Sequence, residues 1–440
     1  MIIAMTSPPT APAGNLCPSC SSPVQEDPRF TSWCPACNWN VDLEPAEERH
    51  GRSARRHEAR RTSDRAVVER LYAEVSDSTD ARPRHDKEHL AAITIAGAVH
   101  LATLLLAAGS VWLLVAENPW VKFLGLVGLA VTFVVRPRFG RFKRDKWSLS
   151  RDEAPRLYDL ADRVATEIGA PPIDLIRVTP EFNASYGRTS LSRRSILTIG
   201  LPLWELLEPQ ERVSILGHEF GHARNGDTRR GIWLHSAENA LVRLLHITYP
   251  GRTSFHSDLT SVIADWVVSV MLFVPYKVTG LVLSLLRRFT LRAGQRAEYL
   301  ADDLAARVGS SAASRSALAT LVLGPSVELA LQRMALAPQK GGPVRAGSRD
   351  AERQDLWEKL REFVASIPET ERLRRFRASA LHMTAVDESH PPTHLRVRLA
   401  AERPPVDGAI ILAEPEITAL ETEMAPIRAR VARAVLTSSF

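Results

Sequence analysis

His218 and His222 stand four residues apart, with Glu219 directly after the first, in the stretch ILGHEFGHARNGD. On an α-helix positions i and i+4 share a face, so the two imidazoles can bind one Zn²⁺. Zinc lowers the pKa of a bound water towards neutrality, and Glu219 can take the proton as the water attacks a peptide carbonyl. Two histidines do not complete such a centre, because a catalytic zinc usually has three protein ligands and an open position. A third histidine after the motif would need Gly at 225 and His at 228, where the chain has Asn225 and Thr228. A glutamate on a later helix is the other solution. The segment GQRAEYLADDLAARVG carries Glu298 and Asp302 four apart among apolar residues. Glu298 can ligate while Asp302 accepts a hydrogen bond from a ligand histidine. The bland alternative is a surface histidine pair and solvated helix acids. Asp227 either supports the centre, caps the helix end or pairs with a neighbouring arginine.

All four cysteines lie before residue 40, as CPSC and CPAC with thirteen residues between the pairs. That is the spacing of a structural zinc ribbon, in which Cys17, Cys20, Cys34 and Cys37 close a tetrahedral site. A redox pair is the alternative, but it needs a surrounding βαβ pattern that this Pro/Ser-rich stretch lacks. Residues 1–15 read as a disordered tail, 16–44 as the ribbon and 45–88 as a charged linker or helix. Acids are interleaved with the arginines of that linker, which argues for a solvated tether and against nucleic acid. Protein docking is the favoured role of the ribbon, since no aromatic-basic surface accompanies it.

These sites sit in a chain of 440 residues with 45% apolar and 24% charged residues, which excludes wholesale disorder. Its net charge of +6 is concentrated around apolar segments. Leu90–Val115 is long enough to cross a bilayer, and Trp120–Val135 follows after a short turn, so 89–136 reads as a transmembrane hairpin. Arg82, Arg84 and Lys87 precede it and Arg136, Arg138, Arg141, Lys143, Arg144 and Lys146 follow it, while the connecting loop has almost no positive charge. Both ends are therefore expected on the cytoplasmic face.

Beyond the hairpin, 151–168 reads as an amphipathic helix, PPIDLIRVTPEFNASYG and SILTIG as two short strands, and 209–224 as the helix bearing the histidines. Between His222 and Glu298 lies a further apolar run, 258–286, interrupted by Asp265, Pro275 and Lys277. If it crossed a membrane alone, the histidines and Glu298 would lie on opposite faces, so the number of crossings must be even. Either it pairs with 232–249, giving four spans, or both segments lie at the membrane surface or fold back, with Pro275 as the break.

In this order, NASYG, HEFGHARNGD, RAEYLADDLA and SHPPTHLRVRL resemble the blocks of the HtpX and CAAX-prenyl-endopeptidase family of integral-membrane zinc metalloproteases. The resemblance covers roughly residues 150–400 and the hairpin before them. It implies a predominantly α-helical membrane protein with an α+β, gluzincin-type peptidase domain over 150–403, a small β-sheet, inserted membrane segments near 232–250 and 259–286, and a C-terminal helical segment over 404–440. It implies His218, His222 and Glu298 as zinc ligands and Glu219 as general base. It also implies that Asn183 lies near bound substrate, that His390 contacts the developing oxyanion and that Arg396 belongs to the substrate site. The expected protein is a multi-pass protease of the inner cell membrane, with its N-terminus and active site cytoplasmic and one catalytic and one structural Zn²⁺. Its partners are the lipid bilayer, polypeptide substrates, chiefly membrane proteins and misfolded segments, and a protein docked at the ribbon. The alternatives are a processing protease for one dedicated substrate, and a non-catalytic scaffold recruiting a partner through the ribbon.

Overall fold

The computed structural model describes residues 16–24, 27–41, parts of 62–76, 87–137, 142, 144–189, 194–225, 227–249, 259–336, 346–381 and 392–437. The tail over 1–15 and His390 lie outside the described residues, as does the side chain of Asp227.

After the cysteine module and the 62–76 segment come two long helices, α1 (Lys87–Leu114) and α2 (Pro119–Val135). Asn118 caps α2, its side chain accepting from the Trp120 amide at 2.9 Å. Next come β1 (Ser148–Leu149), α3 (Pro155–Ile168), β2 (Leu175–Thr179), β3 (Ala184–Arg188) and β4 (Ser195–Gly200). The sheet order is β1-β2-β4-β3, with β2 and β4 parallel and the outer strands antiparallel. The stretch expected to form one strand over 171–187 therefore holds two, because the chain reverses at 180–183, where the Asn183 amide donates to the Glu181 carbonyl at 3.0 Å. That reversal leaves β3 as an edge strand.

Helices make up the rest: α4 (Leu201–Leu206), α5 (Pro209–Asn225), α6 (Asp227–Thr248), α7 (Leu259–Gly309), α8 (Ser311–Leu321), α9 (Gly324–Leu336), α10 (Ala346–Ala365), α11 (Glu369–Leu381), α12 (Thr393–Glu402) and α13 (Glu414–Thr437). The main core joins α3, the sheet and α5 to the C-terminal helices, with Trp204, Phe220, Trp357 and Met424 buried in it. Helix α3 shows how local and distant residues share the work. Its buried residues recur at helical spacing from Leu157 to Ile168, and Gly169 closes it in the left-handed conformation at φ 76°. It has no side-chain cap of its own. Instead the Glu423 carboxylate of α13 accepts from the Arg156 and Leu157 amides at 2.8 and 2.9 Å. A negative charge at a helix N-terminus is favourable, so α13 is tied into the peptidase core beyond residue 403.

A second cluster joins α1, α6 and α7 through Ala92, Ala96, Leu234, Leu241, Leu283 and Leu286, with α2 packed alongside. Within it His100 Nε2 lies 3.1 Å from Ser236 Oγ, and Glu238 pairs with Arg287 at 2.8 Å. Outside it the helices are apolar but uncovered. Leu104, Trp112, Trp120, Trp266 and Met271 are more than half exposed, and only 17% of the most apolar stretch of α1 is buried. A helix serving as a soluble core would be covered instead. Among the described residues two helices, α1 and the 268–309 stretch of α7, are long and apolar enough to cross a membrane, while α2 is apolar but shorter.

Helix α7 runs unbroken for 51 residues through Pro275, so the apolar run and Glu298 belong to one element. At 1.5 Å per residue it is about 75 Å long, more than twice a hydrocarbon core. Tyr249 meets Tyr276, and Glu238 meets Arg287. These pairings make α6 and α7 an antiparallel hairpin that leaves the histidines and returns to them.

Candidate active site

Close approach of α5 to α7 brings the chemistry together. A Cβ added to Gly221 would come within 2.9 Å of Ala301 Cα, and one on Gly217 within 3.1 Å of Ala305 Cα. At the far end a Cβ on Gly309 would reach 2.7 Å from Ser214. Glycines four apart on α5 thus face alanines four apart on α7, and backbones meet where side chains would hold them off. Glu298 lies about one turn before Ala301 on α7, close enough for its carboxylate to reach back to His218 and His222. Gly221→Val is expected to push the helices apart, destabilise the protein by about 1–3 kcal/mol through overpacking and weaken zinc binding. Thermal denaturation combined with a zinc competition titration checks both effects.

His218 Nε2 and His222 Nε2 lie 3.3 Å apart. The Glu298 carboxylate sits 3.4 Å from each of those nitrogens. A tetrahedral ion with donors at about 2.0–2.1 Å has edges of about 3.3 Å, so the three residues fit zinc. His218 and Glu298 are buried and His222 is partly open, which leaves one side of the group reachable. Behind it, His218 Nδ1 lies 2.9 Å from Asp302 Oδ1, so an Nδ1–H donated there leaves Nε2 free to ligate. Arg396 grips the same carboxylate with both arms, Nε to Oδ2 at 2.8 Å and Nη2 to Oδ1 at 2.6 Å, and is itself 4% exposed.

Burial opposes ionisation of Asp302, but the charge and hydrogen bonds of Arg396, with His218, outweigh it and hold the carboxyl down at about 2. It is therefore ionised throughout the neutral range. Burial likewise opposes protonation of His218, yet the hydrogen bonds to Asp302 and Glu298 push its pKa up to about 10. A metal bound there must displace that proton.

Glu219 is 6% exposed, and its Oε2 accepts from the backbone amide of Tyr186 at 2.8 Å. Tyr186 lies on β3, so the candidate base is pinned to the edge strand, and the Tyr186 ring packs on Phe220 at 5.7 Å. Asn183, exposed at the start of the same strand, accepts from the Ala184 amide at 2.9 Å through its side chain. Tyr186 escaped the sequence reading because its contribution is a main-chain amide. Gly217 and Gly221 escaped it although their four-residue spacing, matched by Ala301 and Ala305, was a usable signal.

The four cysteines form a second candidate centre, with Cys17 and Cys37 sulfurs 3.6 Å apart and Cys20 and Cys34 sulfurs 3.5 Å apart. No pair is a disulfide, whose sulfurs lie about 2.05 Å apart. Tetrahedral thiolate–zinc edges are about 3.8 Å, so these residues also fit the ion. Hydrogen bonds to Ser22 and to neighbouring thiols pull the Cys20 thiol down to about 6, towards the thiolate that metals bind.

A family model, Peptidase family M48, matches residues 151–403. Two proteins called Protease HtpX homolog are similar in sequence. The one from Methanothermobacter thermautotrophicus is 28% identical over 110 residues, 24% of this chain and 42% of that protein. The one from Pelotomaculum thermopropionicum is 28% identical over 178 residues, 39% of this chain and 60% of that protein. The chain thus spans about half the length of these curated relatives. No solved structure matches it.

Proposed function

The chain belongs to peptidase family M48, and from that premise we propose that it is a metalloprotease, a membrane-bound zinc endopeptidase cutting membrane-associated or misfolded polypeptides at the cytoplasmic face. The observation that carries this reading is the His218–His222–Glu298 triangle at tetrahedral spacing with Glu219 beside it.

His218, His222 and Glu298 would hold a zinc ion, which would supply Lewis acidity near neutral pH. Glu219, beside them, is placed to accept a proton from the attacking water and to pass it to the departing amine. An extended substrate adds along the side of β3 not paired with β4, next to the Tyr186 amide that holds Glu219, with Asn183 at the strand's entry. Asp302 fixes the tautomer and rotation of His218, and Arg396 holds Asp302. His390 retains the oxyanion role that the resemblance implies. The uncovered faces of α1, α2 and α7 support a lipid setting, and the basic residues flanking the α1–α2 hairpin support a cytoplasmic active site. A second zinc at Cys17, Cys20, Cys34 and Cys37 completes the metal content.

The test is cleavage in proteoliposomes. An unfolded reporter tethered to the bilayer by one apolar helix is expected to be cut at least about 10-fold faster than the same reporter free in solution, through raised effective concentration. Equal rates for the two would overturn the membrane-substrate reading.

A further inference from the structure

The cysteine module does not hang from the peptidase domain; it grips it, and it does so beside its own candidate ligands. Arg377 of α11 donates to the Pro35 carbonyl, inside the Cys34–Cys37 loop, and to Asn38 Oδ1 at 2.9 Å, and its guanidinium lies 5.3 Å over the Trp33 ring. Arg374, 4% exposed and held bidentately by Glu371 at 2.6 and 2.8 Å, donates to the Val41 carbonyl at 2.6 Å. From the module's side Arg29 donates to the Ser366 hydroxyl and carbonyl at 3.1 and 3.0 Å, at the α10–α11 turn.

These contacts depend on loop geometry that four ligated thiolates would set. Asn38 sits in the left-handed region at φ 62°, and its amide donates to the Cys34 carbonyl at 3.0 Å. A loop of this size has little apolar core to hold that shape, and small modules commonly need a metal for it. On its other side α11 meets α12 through Phe376 and His394, whose rings pack edge-to-face at 6.3 Å. Two residues on from His394, on the same helix, is Arg396, which grips Asp302 beside His218.

We propose that the four-cysteine site is an intramolecular clasp. Metal bound there shapes the loop that receives Arg374 and Arg377, the two arginines seat α11, and α11 seats α12 so that Arg396 orients Asp302 and His218. Arg374 and Arg377 are positioning residues, and the module's partner is its own chain. The inference rests on the reading of the cysteines as a zinc site.

The experiment uses the full-length chain in detergent, with zinc content, chelator competition for the more weakly held zinc, and cleavage of labelled casein. Cys37→Ser is expected to remove one zinc and to weaken the remaining one about 10-fold or more, the scale on which supporting partners act. Arg377→Glu is expected to keep both zincs yet show the same weakening and a matching fall in casein cleavage at unchanged helicity. The double variant should be no worse than either single, as expected for one shared route. Loss of one zinc in Cys37→Ser with wild-type affinity and cleavage, repeated in Arg377→Glu, would overturn the clasp alone. Zinc content unchanged by Cys37→Ser would overturn the zinc reading beneath it. If Cys37→Ser fails to fold, Arg377→Glu decides the clasp by itself.

Discussion

Glu219→Gln is expected to abolish proteolysis while the protein keeps its zinc. The substitution preserves size and the hydrogen bond that the side-chain oxygen accepts from the Tyr186 amide, now 2.8 Å long. It removes only the ability to accept a proton. General-base catalysis contributes on the order of 10³-fold, so cleavage of casein should fall by at least that factor with metal content unchanged. Retained activity would show that another group activates water. Loss of zinc along with activity would show that Glu219 helps hold the site and would leave its catalytic role undecided by this variant alone; comparison with Glu219→Asp, which keeps the base on a shorter arm, then separates the two.

Asp302→Ala is expected to injure both metal binding and stability, for different reasons that a second substitution can separate. Asp302 accepts from His218 and is gripped by Arg396, and all three side chains are at most 7% exposed. Without it the imidazole loses its orienting acceptor, and zinc affinity should drop about 10–100-fold. Arg396 also loses its bidentate partner in a buried place and keeps only the longer contact to Glu298 at 3.8 Å, which costs up to about 3–5 kcal/mol. Adding Arg396→Met removes the stranded charge and should restore much of the melting temperature without restoring zinc affinity. Recovery of both together would mean that Asp302 serves only to neutralise Arg396. Competition titration and thermal denaturation of the two variants beside the wild type give the answer.

Local features were readable from the chain, and long-range ones were not. His218, Glu219 and His222 declare themselves because a helix turns four residues of spacing into one face. Glu298 and Asp302 could be found because they repeat that spacing in an amphipathic segment. The expectation of an even number of traverses between His222 and Glu298 followed from connectivity alone; α6 and α7 lie antiparallel, and of the two only α7 is long and apolar enough to cross a membrane. Pro275, the break in one of the two alternatives, does not interrupt α7, since a helix can carry a proline when its freed carbonyl finds other partners. β1 has only two residues, too few to show a period. The 62–76 segment, read as a solvated tether, docks Val68, Tyr72 and Val75 on Tyr299, Leu395 and Leu399. Tyr72 OH also donates to Glu402 at 2.6 Å, some 330 residues away in sequence. Charge dominates that segment's composition, and three apolar anchors among many polar residues leave no visible stripe. Arg374 and Arg377 were equally opaque, because a buried arginine and a solvated one look alike until their partners are placed; Arg396 was marked through the resemblance, but its grip on Asp302 was not visible.

Zinc stoichiometry tests the whole account most directly. Purified full-length protein should hold two zinc ions per chain, His218→Ala should hold one and lose proteolysis, and Cys34→Ser should lose the other. A wild-type chain without zinc, or a His218→Ala variant that keeps its full metal content, would contradict the assignment of His218, His222 and Glu298 as the catalytic centre.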